Sequence, residues 1–291
     1  MKTLVKSLLS FCEQTLLFVG FLLRLLYHRA FSNPFKTRYE GTVAVLANGP
    51  SLKEVISRVQ TDEEFQGVDF IVMNYFALDP IFTQIKPKHY CLADPMFFQK
   101  SNRYEEVRKL FSVLQEVVNW NMTIYIPHLN HDFLKFSALT NSYIQIRPIN
   151  AVYFRGYPMF KDYFYRRGLS MPVVGTVVHL AIYVAINSGY TEIHLYGVDH
   201  TFFNTLCVND KNELCHCYSH FYGESELVPV HGCLDSKPQK IADYLKEMSI
   251  LFNSHDELAH YAENQGVKII NYTDNSMIDS YVRRRMLINN D

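Results

Sequence analysis

The sequence predicts an α/β protein: a doubly wound, Rossmann-like, mainly parallel sheet with a lid insertion, preceded by an N-terminal membrane-associated helix. Three observations predict it. From Arg38 onward, short apolar runs alternate with longer helical patterns, the signature of parallel strands and the helices that cover them. One run, Val43 to Ala47, stops abruptly at Asn48-Gly49-Pro50-Ser51. Leu4 to Tyr27 is dominated by Leu, Phe and Val.

The N-terminal stretch predicts a helix over Val5–Leu26, roughly 33 Å long and enough to cross a bilayer. Its polar exceptions Lys6, Ser10, Glu13, Gly20 and Arg24 recur at helical spacing and form one narrow stripe. Glu13 and Arg24 are costly inside hydrocarbon. An interfacial helix with Lys2, Lys6, Arg24, His28 and Arg29 among headgroups avoids that cost, and a core helix packed on the domain is the alternative. The expectation is a membrane anchor at 1–30, spanning or in-plane. No small-residue cleavage site follows it, so no signal peptide is expected.

The strands expected next are Thr42–Ala47, Asp69–Met73, His89–Ala93, Thr123–Ile126, Glu192–Gly197 and Val267–Asn271. The helices are Lys100–Glu116, Thr176–Ser188 and Pro238–Gln265. With no repeat, linker or composition shift, residues 38–291 read as one domain. Phe202 to Leu234 stands apart: it is rich in Asn, Asp, Cys, Gly and His without clean periodicity. At about 30 residues it exceeds an ordinary connection, so a lid at about 202–235 is expected.

Composition bounds the function. A chain of 291 residues buries a core easily, and a net charge of −1 offers no global basic surface, so no nucleic-acid partner is expected. Its 20 Tyr and 21 Phe make it rich in aromatics, which suits a sugar- or lipid-facing surface or reflects coding bias. Six cysteines in a chain this long read as reduced thiols of a cytoplasm rather than disulfide staples. Cys207, Cys215, Cys217 and His220 lie close together in the chain but match no standard zinc spacing, so no metal site is expected.

The candidate site lies at the carboxyl ends of the strands, where doubly wound sheets bind ligands. Asn48-Gly49 breaks the first strand, Pro50 supplies a φ suited to a helical first turn, and Ser51 offers a hydroxyl there. A strand that turns straight into a helix leaves backbone N–H groups free for phosphate. Asn74, Asp94, Gly197 and Asp199 end other strands, and amide and carboxylate side chains there suit a base and a ribose. Each alone is ordinary turn chemistry; four edges converging on one crevice point to a nucleotide. In the lid, His220, Tyr222 and Glu224 concentrate groups that can move protons: an imidazole can serve near neutral pH, Glu224 can act as a base if partly buried, and Tyr222 can donate to a leaving phosphate. Arg283-Arg284-Arg285 reads as a solvated or membrane-facing patch.

These residues resemble the Cst-type bacterial sialyltransferases (glycosyltransferase family 42) and the related MptE-like (6-hydroxymethylpterin pyrophosphokinase-like) proteins. The family's Gly-Asn-Gly-Pro-Ser-Leu-Lys is similar to Ala47-Asn48-Gly49-Pro50-Ser51-Leu52-Lys53, and its Asn followed by aromatics to Asn74-Tyr75-Phe76. Its Asn-Pro with paired Phe is similar to Asp94-Pro95-Met96-Phe97-Phe98, and its Gly-Tyr-x-Glu-Ile-x-Leu-x-Gly-Ile-Asp to Gly189 through Asp199. Its Pro-Asn-Ser-Leu resembles Asp274-Asn275-Ser276-Met277. The resemblance spans roughly Thr42 to Ile278.

It implies a CMP-activated nonulosonic acid donor held by Asn48, Gly49, Pro50, Ser51, Asn74, Asp94, Thr176, Gly197, Asp199, Asn275 and Ser276. It implies transfer to a glycan or glycolipid acceptor with inversion and no required metal or other cofactor. A lid His is the family's base; Glu224 stands at that position here, His220 matches an earlier family His, and which of the two acts stays open. Val174-Gly175-Thr176-Val177-Val178 replaces the family's Arg-Ile-Thr-Ser-Gly, and His200-Thr201 an aromatic pair. The expected function is a sialyltransferase-like glycosyltransferase of lipopolysaccharide or capsule synthesis on the cytoplasmic face of a bacterial inner membrane, with a homo-oligomer left open. The alternatives are a pyrophosphokinase using Mg-ATP, with Asp94 and Asp199 near the Mg²⁺, and an inactive nucleotide-sugar-binding scaffold.

Overall fold

The computed structural model describes residues 2–30, 33–35, 38–127, 132–219, 225–231 and 238–286. Its strands are β1 (Thr42–Leu46), β2 (Asp69–Met73), β3 (His89–Cys91), β4 (Met122–Pro127), β5 (Ile144–Ile149), β6 (Glu192–Tyr196), β7 (Leu206–Val208), β8 (Leu214–Ser219), β9 (Ser225–Pro229), β10 (Lys268–Asn271) and β11 (Val282–Arg283). Its helices are α1 (Lys2–Tyr27), α2 (Leu52–Ile56), α3 (Phe82–Ile85), α4 (Tyr104–Val117), α5 (Phe133–Ser137), α6 (Lys161–Arg166), α7 (Val177–Ser188) and α8 (Ile241–Asn264). The protein is mixed α/β around a mainly parallel 8-stranded sheet in the order β11-β10-β6-β1-β2-β3-β4-β5.

β1 sits inside the sheet, pairing in parallel with β2 on one side and β6 on the other. Its continuous apolar run follows from burial on both faces. Val43, Val45 and Ala47 join one core layer with α7, while Ala44 and Leu46 join a second with Leu52 and Val55 of α2 and Leu110 and Phe111 of α4. α4 presents Val107, Leu110, Phe111 and Leu114 to that layer, an i, i+3, i+4, i+7 stripe. α7 is apolar all round because it is buried nearly all round, from Val178 to Ser188. Within the core the Tyr261 hydroxyl donates to Asn187 Oδ1 at 2.9 Å.

Several elements lie outside the expected set. β5 runs along the end of the sheet and, among the described residues, pairs only with β4. That edge position is why Pro148, which reads as a strand breaker, is tolerated there. The segment expected as a lid without periodicity forms, in its described parts, a separate antiparallel sheet β7-β8-β9. Its Asn and Asp residues build the β7–β8 turn, where Asn209 Oδ1 accepts from Lys211 N at 3.0 Å and Glu213 N at 2.9 Å.

α1 is longer than expected and docks on the domain by one face. Phe21 is buried, with its ring 4.9 Å from Phe154 and 5.0 Å from Phe164, and Phe18 packs against Phe160 at 5.7 Å. Gly156, at a φ of +116°, lets Phe18 approach where any Cβ would collide with it. The opposite sector stays apolar and exposed, Leu16 by 73% and Leu26 by 74%. The span Val5–Tyr27 is long and apolar enough to cross a membrane by length and composition.

Candidate functional site

The strand order decides where the site lies. The chain lays β2 to β5 outward on one side of β1, then returns to place β6 on the other. The turns after β1 and β6 therefore face each other across a topological switch point, the place where open parallel sheets bind ligands. Here they touch. Gly49 N donates to Gly197 O at 2.9 Å, and Ser51 Oγ donates to Asp199 Oδ2 at 2.9 Å. Gly49 is obligatory, since a Cβ there would overlap both the Asp199 carboxylate and the Gly197 carbonyl. Gly197 has a φ of +68° and packs against Leu52, so it too needs glycine.

An open crevice of about 450 Å³ lies against these turns. It brings together Asn48, Gly49, Pro50, Asn74, Thr176, Gly197 and Asp199, all expected from the sequence. Asn74 takes a φ of +52° at the end of β2, and its buried Oδ1 has no hydrogen-bond partner among the described residues. Thr176 caps α7, accepting from Val178 N at 3.5 Å, so the crevice meets the amino end of a buried helix.

The remaining expected residues lie elsewhere. Ser51 and Asn275 line a neighbouring crevice of about 410 Å³ with Arg283 and Arg285, members of the basic run. Ser276 is buried and engaged: its hydroxyl donates to Val198 O at 2.7 Å and accepts from Asn271 Nδ2 at 3.0 Å. This bond and Met277 N donating to Asp199 O at 2.9 Å brace the β6 turn from behind. Asp94 is exposed, is not among the lining residues, and accepts from Met96 N at 3.0 Å in its own turn. His220, Tyr222 and Glu224 lie outside the described residues.

The crevice also holds residues the sequence reading did not select. His200 follows Asp199, His216 comes from β8, and Thr205 Oγ1 lies 2.8 Å from His216 Nδ1. Burial lowers His200 to about 4 and also lowers His216. A histidine directly after the β6 Gly-Val-Asp turn was the available signal for His200. Nothing local marked His216, because only the folding of β8 back over the sheet end brings it there.

Sheet, switch point and crevice define the class: a mixed α/β protein whose strand-end turns line a ligand-sized cleft. No family model matches this chain, and no curated protein matches it. Among solved structures, one from Anabaena variabilis ATCC 29413, described as a candidate sugar phosphate isomerase/epimerase, is 13% identical. The match covers 70% of this chain and 53% of that one with a TM-score of 0.17, so this chain spans about half the other's length and the likeness carries no argument.

Proposed function

We propose that this chain is a membrane-associated, sialyltransferase-like glycosyltransferase with a Rossmann-like, doubly wound catalytic domain. It transfers a nonulosonic sugar from a CMP-activated donor to a surface-glycan acceptor. The observation that supports this reading best is the meeting of the β1 and β6 turns at the switch point, with Asn48, Asn74 and Thr176 in the same crevice. Asn48 and Asn74 offer amide donors and acceptors for a base and ribose, and the start of α7 favours phosphate.

In the reaction the acceptor oxygen bonds to the anomeric carbon as the bond from that carbon to the nucleotide phosphate breaks. The electron pair leaves with the phosphate, and Glu224 or His220 takes the hydroxyl proton. Their roles come from the resemblance. α1 keeps the domain beside membrane-linked acceptors, lying in the plane of the bilayer.

Thermal-shift measurements on the full chain test the reading. CMP should stabilise it without added metal; stabilisation by Mg-ATP alone points to the pyrophosphokinase and sinks the proposal, as does no response to any nucleotide. Glu224→Gln and His220→Gln, assayed separately for CMP release from a CMP-sialic acid donor, should differ, the base variant losing about 10²–10⁴-fold.

A further inference from the structure

Beside the crevice the fold buries three histidines, His255 in α8 packing against both His200 after β6 and His179 in the first turn of α7. His255 Nε2 lies 3.2 Å from His200 Nε2, and His255 Nδ1 lies 3.0 Å from the Tyr281 hydroxyl. The His179 ring stands edge-on to His255 with centroids 4.3 Å apart, and Phe202 and Phe252 flank His200. The carboxylate next to His200 in the chain, Asp199, is engaged with Ser51. Burial holds His200 at about 4 and His255 well below its ordinary value, so both are neutral at pH 7.

Hydrogen-bond satisfaction fixes where the protons sit. A buried phenol must donate its O–H, and the partner of Tyr281 among the described residues is His255 Nδ1. That nitrogen accepts, so the His255 proton is on Nε2 and donates to His200 Nε2. His200 then carries its own proton on Nδ1. The reverse order leaves the Tyr281 O–H without an acceptor. His200 lines the crevice, and its Nδ1 has no protein partner among the described residues.

We propose that His200 presents a fixed, uncharged Nδ1–H donor to the crevice and binds a phosphate oxygen of the ligand, with His255 and Tyr281 as positioning residues that lock its tautomer. The proposal rests on the nucleotide reading for the identity of the phosphate. A free imidazole is divided between two tautomers; this relay holds one. The backbone supports it, since His200 is kept at a φ of +53°, which a non-glycine residue adopts only where its surroundings hold it.

Ring-¹⁵N-labelled histidine in the full chain gives a test independent of activity. At pH 7 the His200 resonance, identified by its loss in His200→Asn, should be the Nδ1–H tautomer and should move on adding inorganic phosphate. A proton on Nε2, or no movement with phosphate or CMP, overturns the proposal. Tyr281→Phe should divide His200 between tautomers.

Binding supplies the second arm. Asn and Asp both tolerate the left-handed backbone, but Asn keeps a donor near the Nδ1 position and Asp has none. His200→Asn should retain CMP affinity, while His200→Asp should lose about tenfold or more with cytidine affinity unchanged. Equal losses for CMP and cytidine in both variants mean a role in folding alone and overturn the proposal. If the unaltered chain binds neither CMP nor cytidine, the nucleotide reading fails, and the phosphate spectrum alone decides His200.

Discussion

At the scale of single residues, Gly49 carries the site. Its backbone is held by Gly197 O, and the space a Cβ would take is filled by Asp199 and Gly197. Gly49→Ala should therefore force the two turns apart, costing about 1–3 kcal/mol by urea denaturation and, on the proposed function, abolishing stabilisation by CMP. Ser51→Ala removes only the bond to Asp199, so a loss of about 1 kcal/mol with the fold intact is expected. The contrast separates close approach from hydrogen bonding. Asn48-Gly49-Pro50-Ser51 was legible because turn chemistry is local. The reason for Gly49, contact with a residue 150 positions along the chain (Asp199), was not.

At the scale of elements, α1 has three sectors: a docked face with Phe18, Phe21 and Leu25, a polar stripe with Lys6 and Arg24, and an exposed apolar face with Leu16 and Leu26. Docking along the domain through Phe154, Tyr157, Phe160 and Phe164 suits a helix lying flat on a membrane. The full chain should sediment with vesicles of phosphatidylcholine and phosphatidylglycerol and come off in alkaline carbonate; retention in the pellet would require a spanning helix. Leu16→Asp with Leu26→Asp should weaken vesicle binding at least about tenfold without lowering the melting temperature, because neither side chain is buried. Phe21→Ala should instead cost about 3 kcal/mol of docking, read as faster hydrogen exchange in α1. The small sheet β7-β8-β9 was illegible for a different reason. Its turn-forming residues dominate the composition, and its strands are short and lack a repeated apolar alternation.

For the whole molecule, buried neutral histidines tie stability to pH. Burial pushes His89 and His200 to about 4 and His179 to about 3, with His255 well below its ordinary value. All four fold with pKa values below the unfolded 6.5, so between about pH 6.5 and 4 the unfolded chain binds more protons. Stability is then full above pH 6.5 and falls as the pH drops through that window, by about 3 kcal/mol at pH 4 for His89 alone. Urea midpoints taken at pH 7.5, 6, 5 and 4.5 should decline in that order, and a flat profile would refute the neutral assignment. His89 sits between the Tyr125 and Tyr190 hydroxyls, at 3.1 and 2.9 Å, so His89→Gln should flatten the decline at a cost in stability.

The sequence by itself determined the alternation of strands and helices, the turn after β1, the apolar N-terminal helix and the polar residues at strand ends. All of these are written in side-chain periodicity and turn chemistry over a few neighbouring positions. The tertiary structure alone decided that β6 lies beside β1, so that Gly49 and Asp199 meet. It also set β5 at an edge, docked α1 by a single face, and brought His179, His200, His255 and Tyr281 together from separate elements. Strand order and burial are long-range: they depend on which distant apolar surfaces pack, and no local pattern records that.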